Sequence, residues 1–381
     1  MNSDPTDSTT DVDPPLRGEP FSAEHLKAFA EQLAASQKMS TGRGDGLLAD
    51  RFADNCRFIA NTYRVVTTAA KTNEEPIGVD AEWLADNYYV VKEQLREIRE
   101  DLPRKFYRQL PKLSAGPWAG APRIYELGHE FVVHTDSSLD EESIVAVVSA
   151  YQHIVPLTSG EVWAIPIMLR LVLTENLRRL CSHILLTRVC RRRAQAILAE
   201  LETGQRRVTL PSDQACSILV MELIECLRAA PPQQYQFGIH ELAERLGQPQ
   251  ERLDECVRME QQRLAANQVS IGNVITSMRL LSALDWTLFF ERVSLVEQIL
   301  RRDPAKVYAS MDFATRDLYR HRVERLAKRS RHEEIEVASA ALDLAHATAH
   351  APGSDDRTNH IGYYLVDAGR FALEKNLSYQ P

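Results

Sequence analysis

The chain has 381 residues, of which 44% are hydrophobic and 26% charged, so it can bury a core and is long enough for two or three ordinary domains. Its formal net charge of −8 argues against a protein whose whole surface binds nucleic acid, because such proteins are usually basic. Residues 1–20 are polar, acidic and proline-bearing, without the basic start and apolar run of a secretory signal. We expect a disordered acidic tail over 1–20, since it has little apolar surface to offset the entropy of ordering.

The cysteines and the most apolar stretch both indicate a cytoplasmic protein. The six cysteines are irregularly spaced and form no CxxC pair, which favours reduced, mostly buried thiols. The apolar window VWAIPIMLRLVL at 162–173 is too short to span a bilayer and contains Pro166 and Arg170. It predicts a buried helix with a kink or a delayed start at the proline.

Helical periodicity dominates the chain, and the segment 84–102 shows it clearly. Its apolar residues recur at alternating spacings of four and three, so they share one face of a helix: Leu84, Tyr88, Val91, Leu95, Ile98 and Leu102. Asp80 is predicted as the N-cap of this helix. Pro103 disfavours helical geometry at the residue before it, so the helix is predicted to stop at Leu102.

Further helix starts are predicted from capping patterns. Three S/T-x-x-E boxes precede apolar runs, and an Asp-Pro pair is typical of a cap followed by proline at the first helical position: Ser138–Glu141, Thr158–Glu161, Ser330–Glu333 and Asp303–Pro304. Strand alternation is nearly absent, with RRVTL at 206–210 as a weak candidate. We therefore predict an all-α, bundle-like array of about 12–15 helices without a significant sheet.

The helical array has a soft boundary near 203–212. This boundary predicts one helical lobe over 21–203 and a second over 212–381, with a single domain as the alternative.

Two histidine pairs were considered as metal ligands. His129 and His134 stand in HEFVVH, one residue longer than the HExxH zinc signature, so on a helix they point roughly 140° apart. His346 and His350 share a helix face, but a solvated face is the simpler interpretation. We predict neither a metal site nor a catalytic residue in the chain.

Two segments bear on nucleic acid and membrane surfaces. HELAERLGQPQERLDECV at 240–257 has the rhythm of a helix-turn-helix with Gly247 at the turn, but acidic residues in its second helix would repel phosphates. RHRVERLAKRSR at 320–331 is a basic helical run that could contact anionic lipid headgroups or phosphates, or could be a solvated helix end. No nucleic-acid partner is expected.

Arg170 lies within IMLRLVL, and a buried guanidinium needs a partner. Two interpretations remain open, a structural ion pair with a carboxylate elsewhere in the chain and a functional contact with an anion.

Several long strings resemble one family, the bacterial cyclic β-1,2-glucan synthases. They are DNYYVVKEQLREIREDLPRKFYRQLPKL, GPWAGAPRIYELGHEFVVHTDSSLDEE, YQHIVPLTSGEVWAIPIMLRLVLTENLRRL, NQVSIGNVITSMRLLSALDWTLFFERVSLVEQILRRDPAKVYASMDFATRDLYRHRVERLAKRS and HIGYYLVDAGR. The resemblance extends from about 47 to 381 and is to the N-terminal helical region of the family.

The resemblance implies an inner-membrane machine that polymerises glucose from UDP-glucose into a protein-linked β-1,2 chain, then cyclises and releases it. In such proteins, membrane helices flanking a glycosyltransferase domain and then phosphorylase-like domains follow the helical region. UDP-glucose and a divalent metal would therefore belong to those downstream domains, and no cofactor is expected in this chain.

The expected function is a non-catalytic, cytoplasmic helical module of a glucan synthase system at the inner face of the inner membrane, truncated or split from the catalytic domains. Its expected partners are the membrane glycosyltransferase and phosphorylase-like domains and the protein-linked glucan. Six aromatic residues and Arg170 are candidate interaction or glucan-contact residues: Tyr88, Tyr89, Trp118, Trp163, Tyr363 and Tyr364, the last two as possible attachment points. The alternatives are core packing for the aromatic residues and an independent adaptor or regulator for the chain.

Overall fold

The structure is a computed structural model that describes residues 13–40, 47–72, 78–101, 104–202, 214–228, 238–240, 242–244, 249–349 and 356–378. Over these residues it contains 16 helices, one two-stranded sheet and 80% helix. The predicted all-α class is confirmed. The weak strand candidate at 206–210 and Gly247 of the helix-turn-helix candidate lie outside the described residues.

The helices follow one another in a simple order. The first eight are α1 Ala23–Ser36, α2 Leu47–Thr72, α3 Val79–Asp101, α4 Arg104–Gln109, α5 Arg123–His134, α6 Glu141–Ile154, α7 Ser159–Glu202 and α8 Gln214–Arg228. They are followed by α9 Gln250–Ala283, α10 Trp286–Val293, α11 Leu295–Leu300, a 3-10 turn Tyr308–Ser310, α12 Phe313–Ser330, α13 Glu334–Ala349, α14 Ile361–Val366 and α15 Arg370–Asn376. Strands β1 Met39–Ser40 and β2 Lys112–Leu113 pair antiparallel.

Among the described residues, buried side chains form three hydrophobic clusters. The first surrounds the beginning of α7 and draws on α2, α3, α5 and α6, and also on the end of α9 and on α10. The second lies between α11 and α15, and the third between the end of α7, α8 and the start of α9. The lobes 21–203 and 212–381 stay a prediction. Helices α9 and α10, which belong to the predicted second lobe, pack against α3, α6 and α7.

Residues 13–22 form an extended N-terminal strap on the first cluster. Leu16 is buried, and its backbone N–H donates to Asn176 Oδ1 at 2.7 Å. The Gly18 N–H donates to the Val133 carbonyl at 3.0 Å, and Arg17 donates to Ser270 Oγ at 2.5 Å. The disordered tail expected over 1–20 therefore differs from the structure over 13–20, because one apolar side chain and several backbone groups find partners on the body.

Helix α3 follows its predicted apolar stripe. Leu84, Val91 and Ile98 are buried on one face, and the helix ends at Asp101, in line with the predicted stop before Pro103. Asp80 lies inside the first turn rather than at the cap, because the helix begins at Val79. Its carboxylate accepts the Ala81 N–H at 2.9 Å.

The Thr158–Glu161 capping box is confirmed at the start of α7. The Glu161 N–H donates to Thr158 Oγ1 at 3.2 Å, and the Thr158 N–H donates to Glu161 Oε2 at 3.0 Å. The helix begins at Ser159 and continues through Pro166 for 44 residues, so the proline does not delay its start.

The other three predicted caps differ from the structure. Asp140, not Ser138, caps α6 by accepting the Ser143 N–H at 2.8 Å. Ser330 is the last residue of α12, because Arg331 takes a left-handed conformation that ends the helix. Asp303 caps a turn instead of an α-helix, accepting the N–H groups of residues 307 and 308.

Among the residues described, each helix is either too short or too polar to cross a bilayer. The apolar window at 162–173 instead lies inside α7, where its residues contribute to the first cluster.

Candidate functional site

A groove lies where α4, the connection from α6 to α7 and the turn from α12 to α13 meet. Its volume is about 530 Å³. We call it the α7–α13 groove, because its lining includes Thr158 and Gly160 at the start of α7 and Glu333 and Glu334 at the start of α13. This volume is in the usual range for a small-molecule site.

One wall of the α7–α13 groove is mainly apolar. Phe106 on α4 presents a half-buried ring, and Pro156 and Leu157 continue the wall toward α7. Beneath them, Arg123 donates to both carboxylate oxygens of Glu161, at 2.6 and 2.8 Å. Because this ion pair is buried and bidentate, it fixes the position of the α6–α7 connection.

The opposite wall carries polar groups from α12 and the turn that follows it. Lys328 donates to Glu324 Oε1 at 2.6 Å and to Gln109 Oε1 at 3.0 Å. The second of these bonds links α12 to α4 across the groove. His332 and Glu333 are exposed beside them.

Glu334 joins the two walls. Its Oε2 accepts the Ser159 N–H at 2.8 Å and the Ser159 hydroxyl at 2.6 Å, so a side chain from α13 caps the N-terminus of α7. Burial raises the pKa of the Glu334 carboxyl, although the Ser159 bonds act in the opposite direction. The groove is thus built on a fixed contact between two helices that are distant in sequence.

The lining combines an aromatic face with hydroxyl-binding groups. Carboxylate, amide, ammonium and imidazole groups offer both donors and acceptors to a polyhydroxylated molecule. No set of three potential metal ligands lies together among the residues that the structure describes.

Tyr88 and Tyr89 occupy different environments on α3. Tyr88 stacks on Tyr63 with ring centroids 3.8 Å apart, and burial raises the pKa of its hydroxyl. Tyr89 is 67% exposed, and its hydroxyl accepts from Arg279 of α9 at 3.1 Å. Only the second ring is open to a large ligand.

Trp118 and Trp163 are half-buried against other aromatic rings. Trp118 meets Tyr125 edge-on at 4.9 Å and lies beside His129. Trp163 stacks on Phe290 of α10 at 4.7 Å. Both indoles therefore have intramolecular aromatic partners.

Arg170 is buried between three helices. Its guanidinium donates to Gln94 Oε1 at 2.9 Å and to the Leu281 carbonyl at 2.9 Å, and it pairs with Glu97 at 2.9 Å. Burial lowers the pKa of Arg170, partly offset by Glu97. The structural partner that the sequence required is thus on α3, outside the apolar window.

Tyr363 and Tyr364 lie on α14 in the second cluster. Tyr364 is buried, and its hydroxyl is 2.7 Å from Thr348 Oγ1. Tyr363 is half-buried and meets the Tyr364 ring edge-on at 5.2 Å.

None of the seven candidate residues lines the α7–α13 groove as the structure describes it. The groove could not be predicted from the sequence, because the segments that form its two walls, 106–160 and 324–335, are far apart in the chain. The Thr158–Glu161 box overlaps the wall at 106–160, but as a sequence pattern it indicates only the start of a helix.

The basic run 320–331 carries much of its charge in ion pairs. Arg320 is 2% exposed and pairs with Glu297 of α11 at 2.7 Å. Arg322 pairs with Glu374 of α15 at 2.7 Å, and Lys328 pairs with Glu324. Arg320 and Arg322 therefore face the other C-terminal helices, whereas Arg325, Lys328, Arg329 and Arg331 are exposed.

His129 and His134 both approach Glu130 of α5. His129 Nδ1 is 2.9 Å from Glu130 Oε1, and His134 Nε2 is 3.7 Å from Glu130 Oε2. The His134 ring also stacks on Phe21 of the N-terminal strap, with ring centroids 3.8 Å apart. His350 of the other pair lies outside the described residues.

Comparison with known proteins gives one informative relationship. No protein-family model matches the chain. The chain is 33% identical over 394 aligned residues to the cyclic beta-(1,2)-glucan synthase NdvB of Rhizobium meliloti (strain 1021). The alignment covers 99% of this chain but only 14% of that protein. The family resemblance is therefore confirmed: almost the whole chain is homologous to a portion of a cyclic beta-(1,2)-glucan synthase.

Proposed function

We propose that the chain is a non-catalytic helical module of a cyclic β-1,2-glucan synthase system, working at the cytoplasmic face of the inner membrane. The observation that carries this proposal is the 33% identity along 99% of the chain. The membrane glycosyltransferase and phosphorylase-like domains are its proposed partners, and the protein-linked glucan is its proposed ligand. In this proposal, UDP-glucose and a divalent metal are bound by those other domains.

A scaffold role is supported by the use of conspicuous side chains for internal contacts. Arg170 joins α7 to α3 and α9, and Trp163 joins α7 to α10. The N-terminal strap adds contacts to α5, α7 and α9. Such cross-links favour a rigid body that presents fixed surfaces to neighbouring domains.

The cellular test is deletion of the segment encoding residues 13–378 in the source bacterium, with glucan extracted and measured by mass spectrometry. We expect cyclic β-1,2-glucan to be lost and to return when the same segment is supplied again. Undiminished glucan in the deletion strain, with the glycosyltransferase still present by immunoblot, would count decisively against the module.

A biochemical test separates scaffold from catalyst. The purified chain, given radiolabelled UDP-glucose with Mg²⁺ or Mn²⁺, is expected to form no glucan, and membranes holding the glycosyltransferase are expected to retain the chain. Glucan synthesis by the chain alone would overturn the non-catalytic role, and failure to co-sediment with those membranes would overturn the partnership.

A further inference from the structure

We propose that the α7–α13 groove binds a short segment of neutral glucan. The assignment of the sugar rests on the proposed function, whereas the site itself rests on the shape and chemistry of the groove. At about 530 Å³, the groove lies within the roughly 300–1,000 Å³ typical of small-molecule sites.

The apolar wall suits the carbon–hydrogen face of a pyranose. Phe106 is half-buried, so part of its ring remains available while the rest is held by the body. Leu157 and Ile335 extend the apolar surface on either side of the cavity. An aromatic ring that is fixed in this way offers contact area at little cost in side-chain entropy.

The polar lining of the groove suits hydroxyl groups. Gln109 of α4 is exposed and its amide offers donors as well as an acceptor, and Lys328 of α12 has three donor hydrogens. Glu324 and His332 supply further acceptors and donors near the same rim. Hydroxyls that alternate as donors and acceptors can replace the water at this wall without leaving a buried polar group unpaired.

The charges in the groove favour a neutral ligand over a phosphate-bearing one. Glu324, Glu333 and Glu334 all line it. The cations Arg123 and Lys328 are already paired with Glu161 and Glu324. Because the lining carboxylates repel phosphate at short range, a nucleotide sugar is a poorer fit than a glucan.

The site is also fixed before any ligand arrives. Glu334 holds the N-terminus of α7 to α13, and the Lys328–Gln109 bond spans the rim. Preorganisation of this kind reduces the entropy lost on binding.

Isothermal titration of the purified full chain with linear β-1,2-linked glucose oligosaccharides tests the proposal. We expect saturable binding, weakened about tenfold or more by Phe106→Ala and by Gln109→Ala, which corresponds to about 1.4 kcal/mol of binding free energy. UDP-glucose and β-1,4-linked oligosaccharides are expected to bind more weakly. Thermal melts verify that each variant is folded. If Phe106→Ala does not fold, Gln109→Ala still tests the groove, because the Gln109 side chain is exposed and its loss should not disturb folding.

Tyr89→Ala is the matched control, since Tyr89 is an exposed aromatic outside the groove. It is expected to leave binding unchanged. Loss of binding in Tyr89→Ala alone, absence of binding to the folded chain, or equal binding of UDP-glucose would each overturn the groove assignment. These outcomes leave the cellular deletion result untouched, so the failure of the groove and the failure of the module are distinguishable.

Discussion

Single residues in this chain do their work through partners from distant segments. Arg170 is the clearest case, because its position inside an apolar window demands a partner while giving no indication of which one. The structure supplies Gln94, Glu97 and the Leu281 carbonyl. The sequence shows that Arg170 needs a partner, because burying an unpaired charge is costly. Which residues become its partners depends on how the helices pack.

Arg170→Met is predicted to destabilise the chain by about 3 kcal/mol, because the buried Gln94 and the Leu281 carbonyl lose their donor. Urea unfolding measures the loss. Arg96→Met is the control on α3, where an exposed arginine pairs with Glu93 and Glu100. Little change is expected there. Equal effects of the two substitutions would contradict the buried network.

At the scale of helices, one local capping signal predicted a contact correctly, whereas long-range contacts could not be predicted. Thr158 and Glu161 lie within one turn, so their reciprocal bonds could be predicted from spacing alone. Glu334 caps the same helix from the other side of the groove, 175 residues away from Ser159. Spacing rules cannot find such a cap, because the contact exists only after α7 and α13 have docked.

Glu334 gives a pH-dependent prediction. Its pKa is raised above the ordinary 4.5 by burial, so the folded state binds a proton more tightly than the unfolded state. Its contribution to stability is therefore fully present below about pH 4.5 and is lost as the pH rises through the folded pKa. Glu334→Gln cannot ionise and still accepts from Ser159, so we expect it to be more stable than the wild type at pH 7.

Thermal melts between pH 4.5 and pH 7 test this behaviour, and the gap between Glu334→Gln and the wild type is expected to narrow as the pH falls. Glu334→Ala loses the cap and is expected to be less stable than Glu334→Gln by about 1 kcal/mol at all these pH values, because neither side chain ionises. Glu333→Gln, at the exposed neighbouring position, is the control and is expected to show no such trend. A constant gap for Glu334→Gln would refute the proton linkage.

At the scale of the whole molecule, the class was predictable and the division of the core was not. Periodicity and caps indicate helices, and 80% of the described structure is helical. The division into three clusters depends on the packing of α9 and α10 against α3, α6 and α7. No shift in composition along the sequence indicates this packing. The groove belongs to the same category, because it lies between elements brought together by that folding.

Glu297 is predicted to be required for the stability of the second cluster. Its buried carboxylate accepts from Tyr308 at 2.6 Å, Arg301 at 2.8 Å and Arg320 at 2.7 Å. Glu297→Ala leaves the buried Tyr308 hydroxyl without its acceptor, whereas Arg301 keeps Glu291 and Arg320 keeps Asp317. The substitution is expected to cost about 3 kcal/mol, because a buried carboxylate with several charged partners is removed.

Hydrogen exchange should show this loss as reduced amide protection over 296–349 and 356–377, while 47–72 and 159–184 keep theirs. Glu336→Gln, at an exposed position of α13, is the control. Uniform loss of protection in Glu297→Ala would mean that the clusters unfold as one unit.

Helix α7 sets the distance between two parts of the molecule. With 44 residues at about 1.5 Å each, it extends for about 66 Å. Its first turn borders the α7–α13 groove, and its last turns support the third cluster. Whatever binds beside the third cluster is therefore held a set length away from whatever enters the groove, and shortening α7 by whole turns would change that separation in steps of about 5.4 Å.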